Sequence, residues 1–118
     1  VTHYLIDYES IQPKQMGDWI DEASTVALFI GPQQHRLPFD LVETMQALGA
    51  RGRYIRLERT GKNALDFHLA FYLGEGVGQE PEAEYRVLTK DSGFDALIAH
   101  LQQRGVRVER MDWEPTPD

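Results

Sequence analysis

Four acids, Asp7, Asp66, Asp91 and Asp95, stand where an apolar run meets a turn or a helix start, and these are the side chains best placed for chemistry. Asp7 follows Tyr4-Leu5-Ile6, and Glu9 lies two residues on, on the same side of an extended chain. Asp66 comes just after the turn Thr60-Gly61-Lys62-Asn63, and Asp91 and Asp95 belong to Lys90-Asp91-Ser92-Gly93-Phe94-Asp95. Carboxylates gathered closely repel, and their pKa values rise unless a cation sits among them. The cofactor such all-oxygen donors select is a hard divalent ion, Mg²⁺ or Mn²⁺. The chain has no cysteine, which removes thiolate zinc sites, disulfides and cysteine nucleophiles.

Each acid also has a structural reading. Asp66 is three residues after Asn63, and Asp95 three after Ser92, the spacing of a capping box. Asp91 can itself cap a helix. Asp7 has no helix to cap and loses hydration as the sheet edge is covered. Glu9 reads as a solvated loop acid. Convergence of several acids on one edge is what capping does not predict.

The elements that must position these groups alternate regularly. Strand-length apolar runs occur at residues 3–8, 25–30, 52–57, 84–89 and 106–110. Between them, Pro38 opens a helix with Phe39, Leu41, Val42, Met45 and Leu48 as its stripe, stopping at Gly49. Residues 64–73 form another, with Leu65, Leu69, Tyr72 and Leu73 buried and Gly74 at its end. Phe94, Leu97, Ile98 and Leu101 mark a third, and residues 16–22 a weaker one. Residues 75–83 read as the longest loop, and residues 112–118, with two prolines, as a loose tail. Such alternation implies an α/β fold, a three-layer α/β/α sandwich around a mostly parallel sheet. In open sheets of this kind ligands bind beyond the carboxyl ends of the strands, where Asp7, Asp66 and Asp91 fall.

With 118 residues, 42% of them hydrophobic, one domain with its own core is expected. No apolar run is long enough to span a bilayer, so a cytoplasmic protein is expected. A net charge of −7 argues against a protein that simply coats nucleic acid, but leaves room for an enzyme with local basic patches. Arg51, Arg53, Arg56, Arg59 and Lys62 suggest a basic flank leading to Asp66. Lys62 and the amides of the following helix start make a phosphate site, with Thr60, Asn63 and Ser92 as further hydrogen-bonding groups. Tyr8, Tyr54 and Phe94 are candidates for stacking on bases. His35 reads as a solvated loop residue, and His68 is turned about 200° from Asp66 around its helix. Small domains of this kind often pair, making a homodimer a candidate assembly, though no exposed patch marks the surface.

The segments 4–9, 62–66 and 89–95 together resemble the opening strand with its first acid, the middle acid on a helix, and the third acidic motif of the PIN-like nucleases and their NYN relatives. The last segment, Thr89-Lys90-Asp91-Ser92-Gly93-Phe94-Asp95, is the most specific. The resemblance is nearest to a bacterial PIN-like branch and covers residues 1–112, with 113–118 as a flexible tail. It implies strand order 3-2-1-4-5 and a metal-dependent endoribonuclease. Asp7, Asp66 and Asp91 would hold Mg²⁺ or Mn²⁺, Asp95 would be a fourth catalytic acid, and Thr60, Lys62, Asn63, Ser92 and Arg59 would contact RNA, single-stranded or structured. The alternative is a catalytically silent PIN-like module that binds RNA or protein. An aspartyl-phosphate receiver fits less well, because no lysine follows the fifth strand.

Overall fold

The computed structural model describes residues 1–115. Five parallel strands, β1 (Thr2–Asp7), β2 (Ser24–Ile30), β3 (Gly52–Arg56), β4 (Glu84–Leu88) and β5 (Arg107–Met111), form one sheet of order β3-β2-β1-β4-β5. The helices are α1 (Met16–Trp19), α2 (Phe39–Leu48), α3 (Ala64–Gln79) and α4 (Asp95–Gln103). The sandwich and strand order are those expected, and every strand boundary lies within a residue of its apolar run.

Alternation along the strands divides the core in two. Leu5, Ala27, Phe29, Tyr85, Val87 and Val108 face α3 and α4, meeting Leu65, Leu69, Leu73, Ile98 and Leu101. Tyr4, Ile6, Val26, Leu28 and Leu88 face the other way, onto Met16 of α1 and Leu41, Met45 and Leu48 of α2. The chain runs outward from β1 through β2 to β3 and then returns past β1 to β4. The crevice at the carboxyl ends of β1 and β4 is therefore the switch point of the sheet.

Four local expectations are corrected. The stretch from Gly74 to Gln79 is helical and continues α3, so the expected long loop shrinks to a short turn. Val77, four residues after Leu73, packs on the same core and extends the stripe past the glycines. Gly76 fits closely there, since a Cβ would stand 3.1 Å from Cε1 of Tyr85, whose hydroxyl donates to the carbonyls of Gly76 and Glu80. Phe39 is 74% exposed and lies outside the stripe of α2, whose buried residues are Leu41, Met45 and Leu48. The expected helix over 16–22 is only one turn, Met16–Trp19. The start of the tail is tied down. Glu114 accepts hydrogen bonds from the amides of Lys14 and Gln15 and from Trp19 Nε1; burial pushes its carboxyl up, and these bonds together outweigh that and hold it below its ordinary range. Residues 116–118 of the expected tail lie outside the described residues.

Candidate functional site

Strand parity brings the acids together. Asp7 shares its face of β1 with Leu5 and so points toward α3, while Thr89, two residues past Val87, extends the same face of β4. The two meet side by side: Thr89 Oγ1 donates to Asp7 Oδ2 at 2.9 Å, and the amide of Ser10 donates to Oδ1 at 3.2 Å. Asp7 is 5% exposed and Thr89 fully buried. Thr89 Oγ1 also accepts from the amide of Asp91 at 3.1 Å, so one hydroxyl sets the orientation of the first acid and the path of the chain to the third. Ser10 adds a second tie, its hydroxyl accepting from the amide of Lys90 at 2.7 Å.

Asp66 enters from α3. Asn63, in the left-handed conformation at φ 59°, turns the chain into the helix without a side-chain cap, so the expected capping box does not form. The Asp66 carboxyl instead shares a cleft wall with Asp91, near enough that the two carboxyls perturb each other's titration. Asp91 caps a 3₁₀ turn, Ser92–Phe94, by accepting from the amide of Gly93 at 2.8 Å. The second expected box is also absent. Asp95 is gripped by Arg110 of β5, with Nε to Oδ1 at 2.6 Å and Nη2 to Oδ2 at 3.2 Å. Arg110 Nη1 further donates to the carbonyl of Thr89 at 3.2 Å, tying this pair to the Asp7 anchor.

The electrostatics follow from this crowding. Asp66 is pushed up to about 7, first by partial burial, then by its hydrogen bond and charge interaction with Asp91, and further by the charges of Asp7 and Glu9. Asp91 is lowered, chiefly because Asp66 donates to it, with help from the Gly93 amide and Arg110. Burial raises Asp7 against the opposing hydrogen bonds of Thr89 and Ser10. Asp95 is lowered by Arg110. Near neutrality, the Asp66–Asp91 pair thus shares a proton between two carboxylates at the switch point.

Among the described residues, no group of three or more His, Asp or Glu side chains stands ready to hold a metal ion. Both oxygens of Asp7 are engaged by protein donors, and Asp66 and Asp91 are engaged with each other. The chemistry of the donor set nevertheless suits a hard cation, since every group is an oxygen ligand and positive charge among them would relieve the repulsion that raises Asp66.

Two clefts flank Asp66. One of about 350 Å³ is lined by Asn63, Asp66, Phe67, Asp91, Gly93 and Phe94, with Ala70 and Leu97 behind. The other, of about 260 Å³, holds Glu9, Pro32, Arg59, Thr60 and Asn63 beside Asp66. Thr60, Asn63 and Arg59 therefore lie beside the acids, whereas Lys62 and Ser92 are exposed and line neither cleft. Glu9, read from sequence as a bystander, faces Asp66 across the second cleft. The expected basic flank is dispersed: Arg51 ties the carbonyls of Asp21 and Ser24 at the amino end of the sheet, Arg53 lies over the Tyr72 ring at 5.0 Å, and Arg56 donates to His35 Nδ1 at 3.0 Å. Tyr8 and Phe94 are core residues and are not available for stacking; Tyr54 is exposed. His68 bonds the carbonyl of Ala64 and takes no part. Sequence reading gave no role to Thr89, Ser10 or Arg110. The signal for Thr89 was its parity with Val87, two residues before Asp91.

A family model described as a PIN domain matches residues 1–111. No curated protein and no solved structure matches the chain.

Proposed function

The chain belongs to the PIN-domain family, whose members are generally nucleases that use divalent metals, and from that premise we propose that it is a Mg²⁺- or Mn²⁺-dependent endoribonuclease. The observation that carries the reading is the Asp66–Asp91 carboxyl pair lining one cleft at the switch point, where partial burial and Asp91, with smaller help from Asp7 and Glu9, push Asp66 up to about 7. Asp7, Asp66 and Asp91 would hold the ion, which supplies Lewis-acid polarisation of the phosphodiester and a lower pKa for the attacking water. Thr89 and Ser10 keep Asp7 fixed, so the buried carboxylate does not have to be organised when substrate arrives. Arg110 holds Asp95 beside this group as a further acid facing the water around it. Arg59, Thr60 and Asn63 border the cleft next to Asp66, where they would orient phosphate, while Lys62 and Ser92, exposed outside both clefts, would meet RNA only beyond the acids. RNA, single-stranded or structured, is the preferred substrate within this reading.

The test is cleavage of end-labelled single-stranded RNA by the purified chain with and without Mn²⁺. We expect cuts that require the ion and disappear in Asp91→Asn; cleavage in EDTA, or full activity in Asp91→Asn, sinks the proposal. One observation favours a second reading, a silent module that binds RNA or protein: Asp7 and Asp95 are held by protein donors, and among the described residues no three-ligand group is assembled. That reading predicts binding without turnover, and a single ion-dependent cut would end it.

A further inference from the structure

The outer face of α3 carries an unusual line of residues. Phe67, Phe71, Gly74 and Gly78 are spaced i, i+4, i+7 and i+11, which puts all four on one stripe, opposite the buried Leu65, Leu69 and Leu73. Phe67 is 69% and Phe71 63% exposed, and a Cβ at Gly74 or Gly78 would meet nothing within 4 Å. Among the described residues, nothing accounts for either feature. The two rings gain little from folding where they stand, and a glycine inside a helix weakens it relative to alanine. Gly76 differs, since Tyr85 fills the space beside it.

Two knobs followed by two bare positions on one helix face make a surface that is complementary to itself. In an antiparallel pair of α3 helices centred between Tyr72 and Leu73, Phe71 lies opposite Gly74 of the partner subunit and Phe67 opposite Gly78 of the partner subunit. A two-fold axis repeats both contacts, as an isologous interface requires. Only this register pairs both rings with both glycines. We propose that the outer stripe of α3 is a homodimer interface, with Phe67 and Phe71 of each copy seated on the bare backbone at Gly74 and Gly78 of the other. Aromatic side chains present roughly 150–250 Å² each, and about two thirds of each ring is still exposed, so four rings with the backbone beneath them give an interface at the small end of the range for specific complexes, the size of a weak, reversible dimer. Phe67 also lines the cleft shared with Asp66 and Asp91, so the end of the partner's helix borders each candidate site. The dimer does not depend on the nuclease reading.

Sedimentation velocity on the full chain, from about 1 to about 500 µM, tests this across the micromolar range. The expected result is a monomer–dimer equilibrium whose Kd rises at least tenfold in Phe71→Gln and in Gly74→Gln. Glutamine is a better helix former than glycine, so Gly74→Gln should lose the dimer while the fold, followed by circular dichroism, melts no lower than wild type measured as monomer. Phe71→Gln alters an exposed side chain and keeps the test valid should Gly74→Gln fail to fold. A wild-type chain that stays monomeric throughout overturns the proposal, as does a dimer whose Kd neither substitution changes. It is equally overturned if the chain is monomeric and Phe71→Gln instead weakens binding of a single-stranded RNA hexamer, which would make the stripe a surface for bases.

Discussion

Asp66→Asn separates the electrostatic strain in the acidic pair from its function. In the metal-free fold Asp66 holds its proton up to about 7, against 3.8 for an ordinary aspartate. A carboxyl with a raised folded pKa leaves the fold most stable below the unfolded value. That stability is lost as pH rises toward the folded value, and above it the loss is constant. Three pH units correspond to roughly 4 kcal/mol as an upper bound. The lowering of Asp91 offsets part of this, and solvent screens a pair of which only Asp66 is partly buried and Asp91 is exposed, leaving on the order of 1–2 kcal/mol. Asparagine keeps the shape and a donor for Asp91 but removes the charge. Without metal the variant should match wild type near pH 4 and exceed it by about 4–8 °C in Tm at pH 8. Saturating Mn²⁺ should reverse the order, because an ion at 100 times its Kd adds about 2.7 kcal/mol to the protein that binds it and nothing to one that does not. Differential scanning fluorimetry across pH, with and without Mn²⁺, reads both effects. A Tm difference that is the same at pH 4 and pH 8 refutes the shared-proton argument, and equal stabilisation of both proteins by Mn²⁺ refutes the assignment of Asp66 as a ligand.

Thr89→Val keeps the buried shape but leaves Asp7 Oδ2 without its donor, so chemical denaturation should show a loss of about 1–3 kcal/mol and the RNA assay a loss of activity beyond what stability explains. Unchanged stability would mean the Thr89 bond does not anchor Asp7. Arg110→Met frees Asp95 and removes a positive charge that lowers Asp91. Tm should barely move, while the pH at which ion-dependent cleavage reaches half its maximum shifts upward; an unshifted profile counts against Arg110 acting on the acids. Gly76→Ala should fail to give the helix-propensity gain of about 1 kcal/mol, because Tyr85 is fully buried, bonded at its hydroxyl, and unable to move away from a Cβ at 3.1 Å. A Tm above that of wild type would show the contact to be slack.

The fold was legible because its determinants are periodic. The strands announce themselves as apolar runs, and the acids could be placed on one edge by noting that each follows a strand or opens a helix. The capping spacings at Asn63–Asp66 and Ser92–Asp95 misled, since spacing tells which groups can meet and not which partner wins. Asp66 is drawn to Asp91 and Asp95 to Arg110, partners 25 and 15 residues away that only the assembled sheet supplies. The same limit explains the basic flank, where Arg51, Arg53 and Arg56 are near in sequence but find carbonyls, a ring and an imidazole in three different directions. The largest error, ending α3 at Gly74, came from reading glycine as a helix stop. Here the core contact of Val77 outweighs the propensity cost of Gly74, Gly76 and Gly78. That error also concealed the outer stripe, because Phe67 and Phe71 have no matching notches until Gly74 and Gly78 are seen to be helical. Of the three glycines in the last turns of α3, Gly76 meets Tyr85, and the proposed dimer would give Gly74 and Gly78 a packing role of the same kind.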